Sequence, residues 1–96
     1  MIDVKQAVKT AHEYATDMLG NLPNLELEEV ELSEDERYWF VTLGYDSDET
    51  DPFYSALTAI GSAPRLRKYK IFTIHADDGK VKSMKIRETA RNDSRQ

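Results

Sequence analysis

Ninety-six residues, 40% hydrophobic and 32% charged with a formal net charge of −5, are enough for one hydrophobic core and too few for two. Trp39, five Tyr and three Phe are too much apolar content for a wholly disordered chain, and the absence of cysteine excludes disulfides and thiolate metal sites. The start Met1-Ile2-Asp3-Val4-Lys5 lacks a signal-peptide pattern and no apolar run approaches the ~18 residues of a membrane span, so the expected setting is the cytoplasm.

The first element is a helix. Asp3 with Gln6 three residues on reads as a capping box, and Val4, Ala7, Val8, Ala11, Ala15, Met18 and Leu22 recur at helical spacing. Gly20-Asn21 and Pro23 stop it, which predicts a helix over about Val4 to Leu19.

A first hairpin follows. Leu25 to Leu32 alternates with a phase slip at Glu28-Glu29, and Ser33-Glu34-Asp35-Glu36 separates it from the strand Arg37 to Asp46. A four-residue turn pairing Leu32 with Arg37 sets Val30 opposite Trp39, and a bulge at Glu28-Glu29 returns Leu27 and Leu25 to the face of Val41 and Leu43. Trp39, Val41, Leu43 and Tyr45 then face the helix, with Tyr38, Phe40 and Thr42 on the other side. Within 46–62, Asp51-Pro52 and the stripe Phe53, Ala56, Leu57, Ile60 predict a short second helix at about 52–60, with a compact loop as the alternative.

The second hairpin joins Tyr69–Ala76 to Lys80–Arg87 through Asp77-Asp78-Gly79, a turn whose glycine suits a left-handed position. The register pairs Ala76 with Lys80, Ile74 with Lys82 and Phe72 with Met84, putting Phe72, Ile74, Met84 and Ile86 on the core face with Ala11, Ala15 and Met18. The result is an α+β domain over 1–88, an N-terminal helix on a four-stranded antiparallel sheet of two hairpins, with a frayed tail at 89–96.

The closing run Tyr69-Lys70-Ile71-Phe72-Thr73-Ile74-His75-Ala76-Asp77-Asp78-Gly79-Lys80-Val81 resembles the ending of PepSY domains, and the order of helix and hairpins is similar to the cystatin-like group of small α+β domains. That resemblance implies a binding or inhibitory module; an inhibitor or immunity-type protein of unknown target is a separate alternative.

Catalytic and metal readings find little support in the residues. Asp46, Asp48, Glu49 and Asp51 open like a calcium loop, but Asp51 stands where the turn glycine belongs and Leu57 where the bidentate Glu belongs, so a solvated acidic loop is expected. His12 and His75 have no second histidine or cysteine set to complete a metal site. Ser33, Ser47, Ser55, Ser62 and Ser83 lack a nucleophile-elbow context, Thr58-Ala59-Ile60-Gly61 is no phosphate loop, and Glu29 with Glu31 reads as a solvated strand. No enzyme, no cofactor and no metal are expected.

Charge is divided along the chain. Residues 1–64 hold Lys5, Lys9 and Arg37 against 14 acids, and residues 65–96 hold ten bases against four acids. Arg65, Arg67, Lys68, Lys70, Lys80, Lys82, Lys85, Arg87 and Arg91 offer a phosphate-binding reading, while mutual neutralisation of acidic and basic strands in one sheet needs no ligand. The outer sheet face gives the strongest functional signal. Tyr38, Phe40, Thr42, Tyr69, Ile71, Thr73 and Val81, rimmed by Lys85 and Arg87, are too apolar for bare solvent. They predict a protein-binding role, in its simplest form homodimerisation, with nucleic acid as the alternative partner and cover by residues 52–60 as the reading without a partner.

Overall fold

The computed structural model describes residues 1–46 and 67–87. They form α1 (Val4–Leu19), β1 (Glu26–Leu32), β2 (Tyr38–Asp46), β3 (Arg67–His75) and β4 (Val81–Ile86), an α+β fold with one antiparallel sheet in the order β1-β2-β3-β4. The expected helix at 52–60 and the tail at 89–96 lie outside the described residues.

The start of α1 follows from local chemistry. The Asp3 carboxylate accepts from the Gln6 backbone N–H at 2.8 Å and the Gln6 side chain accepts from the Asp3 N–H at 3.3 Å, so two helix-end donors are satisfied reciprocally. Ala7, Ala11 and Ala15, four apart, are buried along one stripe. Side chains this small let α1 lie close to the sheet, where Val41, Leu43, Phe72 and Ile74 are fully buried and Tyr14 meets the Phe72 ring edge-on at 6.2 Å.

Both ends of α1 are tied to the sheet. Ahead of it, the Ile2 N–H donates to the Ala76 carbonyl at 2.7 Å, and the Trp39 indole donates to the Ile2 carbonyl at 3.2 Å. Behind it, the Pro23 carbonyl accepts from the Asp46 N–H at 2.9 Å and the Asn24 side chain donates to the Asp46 carboxylate at 2.6 Å.

The two hairpins correct the expected registers. Leu32 pairs with Trp39 and Val30 with Val41, not with Arg37 and Trp39, because the four-residue turn closes one residue later, on a Ser33 N–H to Tyr38 carbonyl bond of 2.8 Å. The displacement is two residues, so every side chain keeps its face. The bulge falls between Leu27 and Glu29, where the phase slip placed it, and returns Leu27 opposite Leu43.

In the second hairpin Phe72 pairs with Met84 as expected, but a register shift after Thr73 sets Ile74 opposite Val81 instead of Lys82, and His75, not Ala76, bonds to Lys80. Val81 therefore packs against the core and Lys82 turns outward, the reverse of the sequence expectation. A bulge here removes an unpaired lysine from the apolar layer.

Three residues expected in or beside the core are exposed. Met18, Ile86 and Leu27 stand 59%, 74% and 46% exposed, because α1 packs chiefly on β2 and these side chains lie beyond that contact. Phe72→Ala should cost about 3–5 kcal/mol in urea unfolding, the usual range for emptying a large core site. Met18→Ala should stay within about 0.5 kcal/mol, as for an exposed position.

Candidate functional site

The register builds the outer face in rows. One row runs Glu29, Thr42, Ile71, Lys85 and the next Glu31, Phe40, Thr73, Ser83. Tyr38 opposite His75 begins the turn end, and Gly44 opposite Tyr69 lies toward the other. The sequence-derived set of Tyr38, Phe40, Thr42, Tyr69, Ile71, Thr73, Lys85 and Arg87 therefore falls on one surface. Tyr38, Phe40, Tyr69, Ile71 and Thr73 are half-buried and Lys85 and Arg87 exposed. Thr42 is only 3% exposed, so it serves as floor rather than contact.

Between these rows lies a shallow groove of about 310 Å³ with Phe40, Thr42, Ile71 and Thr73 as its apolar floor and Glu29 and Glu31 as its acidic wall. Arg87 reaches across from the β4 side to pair with the Glu29 carboxylate at 3.0 Å. At the turn end the Lys82 ammonium sits 4.7 Å over the Tyr38 ring, whose other neighbour is His75 at 5.2 Å between centroids.

The end of the face away from the hairpin turns is closed by Arg67. Its guanidinium donates to Glu28 at 2.8 Å, Asp46 at 3.0 Å, the Asn24 carbonyl at 3.1 Å and Glu26 at 3.3 Å, and its side chain is 16% exposed. Burial alone would lower its pKa, but hydrogen bonds to Asp46 and Glu28, with the charges of Asp46 and Glu26, hold it above the ordinary guanidinium value. Gly44 makes room for this cluster. A Cβ there would stand 2.7 Å from Glu28 Oε2 and 2.9 Å from both Arg67 Nη2 and Tyr69 Cε1.

The remaining candidates are placed more simply. His12 is exposed on α1, and Ser33 Oγ donates to the Asp35 carboxylate at 2.7 Å in the β1–β2 turn. Asp46 belongs to the Arg67 cluster, while Asp48, Glu49, Asp51 and Arg65 lie outside the described residues. No group of three or more His, Asp or Glu among the described residues is arranged to hold a metal ion, and no described helix is long and apolar enough to cross a membrane. Sequence reasoning missed Gly44, and it weighed Lys82, His75, Glu29 and Glu31 for other roles without placing them on this face. The clue to Lys82 was in the expected register itself, which put a lysine inward and a valine outward. No protein-family model, curated protein or solved structure matches the chain.

Two outcomes test this geometry. Gly44→Ala should destabilise the fold by about 1–3 kcal/mol, since the added methyl must displace the Arg67 cluster or Tyr69. The Asp35 pKa lies below its ordinary 3.8, held there first by the Ser33 hydroxyl and then by the Arg37 N–H. A depressed carboxylate contributes stability above its unfolded-state value and loses it as pH falls through the folded one. The advantage of the native chain over Asp35→Asn in urea unfolding should therefore be present at neutral pH and vanish on acidification below 3.8.

Proposed function

We propose that the outer face of the sheet is a protein-docking surface and that the chain works as a non-enzymatic binding module, with the cytoplasm as its setting. The observation that carries this reading is the groove, an apolar floor of Phe40, Ile71 and Thr73 between an acidic wall on β1 and lysines on β4. Aromatic and aliphatic side chains at the centre of a patch with charge at its rim is the ordinary anatomy of a protein interface. Tyr38 and Tyr69 add rings that bury area while their hydroxyls keep a polar partner.

The basic residues give less support to a nucleic-acid surface. Arg67 and Arg87 are engaged by carboxylates of β1 and β2, which removes two of the bases that a phosphate-tracking face needs.

The paired substitution Phe40→Glu with Ile71→Lys should leave the circular dichroism spectrum unchanged and abolish association through this face, because charges cannot be solvated in a closed apolar contact. Unfolding of that variant would show that the face is internal and would overturn the reading.

A further inference from the structure

We infer that the occupant of the outer face is a second copy of the chain, packed face to face about a two-fold axis parallel to the strands. The inference rests on the docking reading above and adds the partner and its orientation. The charge layout supplies the argument. Within a single row Glu29 stands at the β1 end and Lys85 at the β4 end, with Thr42 and Ile71 between them. In the next row Glu31 stands at the β1 end, across from Ser83, which is flanked by Lys82 and Lys85 near the partner rim. Glu31, Lys85 and Lys82 have no ion pair among the described residues, so these charges are available to a partner.

Of the two-fold axes lying in the interface plane, two keep the strands of the copies nearly aligned, the usual arrangement of face-to-face sheets. An axis perpendicular to the strands sets β1 over β1 and β4 over β4, glutamate on glutamate and lysine on lysine. An axis along the strands keeps each row at its own level and reverses it, so Glu31 meets the Lys82 and Lys85 flank of the second copy twice and Ile71 lies over Thr42, while Glu29 stays with Arg87 of its own chain. Only the second arrangement is attractive at both rims.

Size sets the expected strength. With nine residues in β2 and in β3 and four strands across, the face spans roughly 30 by 19 Å, or about 500 Å² once the shorter outer strands are allowed for. Two copies bury about 1,000 Å², the lower limit for a specific interface, so the dimer dissociates on dilution.

Sedimentation velocity over roughly micromolar to millimolar protein, the range such an area implies, tests the arrangement. The native chain should show a concentration-dependent dimer. Glu31→Lys alone and Lys85→Glu alone should each associate at least about tenfold more weakly, since each sets like charges against one another at both rims. An equimolar mixture of the two variants should regain the dimer, because every rim contact is again between opposite charges. Circular dichroism confirms that each variant folds, which is expected because Glu31 and Lys85 are exposed and have no ion pair among the described residues.

A native chain that stays monomeric throughout would overturn the inference, as would single variants that dimerise like the native chain or a mixture no tighter than either variant. A monomeric native chain whose Phe40→Glu, Ile71→Lys variant still folds removes the second copy alone and leaves the docking reading standing. If that variant unfolds, both fall.

Discussion

A sheet of four strands has two faces, and α1 covers one of them. It does so through alanines at positions 7, 11 and 15, a stripe that trades side-chain volume for close approach and so buries Val41, Leu43, Phe72 and Ile74 completely. Strand alternation then leaves Phe40, Ile71 and Thr73 on the side away from α1. The chemistry of that second face follows from the same period-two pattern that builds the core. Any change of register by one residue would exchange the two sets.

Arg67 decides how much of the outer face the described residues leave open. One guanidinium gathers Glu26, Glu28 and Asp46 and the Asn24 carbonyl, tying β1, β2, β3 and the segment after α1 at a single point. Several charge-assisted bonds on a mostly buried arginine amount to more than separate surface pairs, because the planar fork is preorganised and little water remains to compete. The fork occupies the space over Gly44. The apolar groove is consequently displaced toward the hairpin turns, where Phe40 and Tyr38 lie.

Much of this architecture was legible in the residues. The capping box at Asp3 and Gln6, the span of α1, the bulge after Leu27 and the face assignment of β2 all follow from periodicity and local chemistry. What escaped depends on distance in sequence. Met18 and Leu27 obey the apolar pattern but sit where the opposing element ends, and a pattern does not carry element lengths in space. The bulge at Lys82 is set by competition between turn geometry and lysine burial across β3 and β4. The Arg67 cluster joins residues about 20 to 43 apart, and no local spacing announces it. Of the candidate face, the apolar members were readable from alternation, whereas its acidic wall and the outward Lys82 required the pairing register.

Opposite charges on opposite edges carry a hazard as well as a use. An acidic β1 and a basic β4 invite β1 of one molecule to pair with β4 of the next, a heterologous contact that does not close and grows into filaments. Several features of β1 oppose it. The bulge between Leu27 and Glu29 interrupts the ladder, and the carboxylates of Glu26 and Glu28 are held by Arg67 while that of Glu29 is held by Arg87. Identical edges repel, β1 from β1 through its glutamates and β4 from β4 through Lys82 and Lys85. With edge growth opposed in each direction, the charges without an ion pair among the described residues, Glu31 on one side and Lys82 and Lys85 on the other, are the ones the proposed dimer draws on.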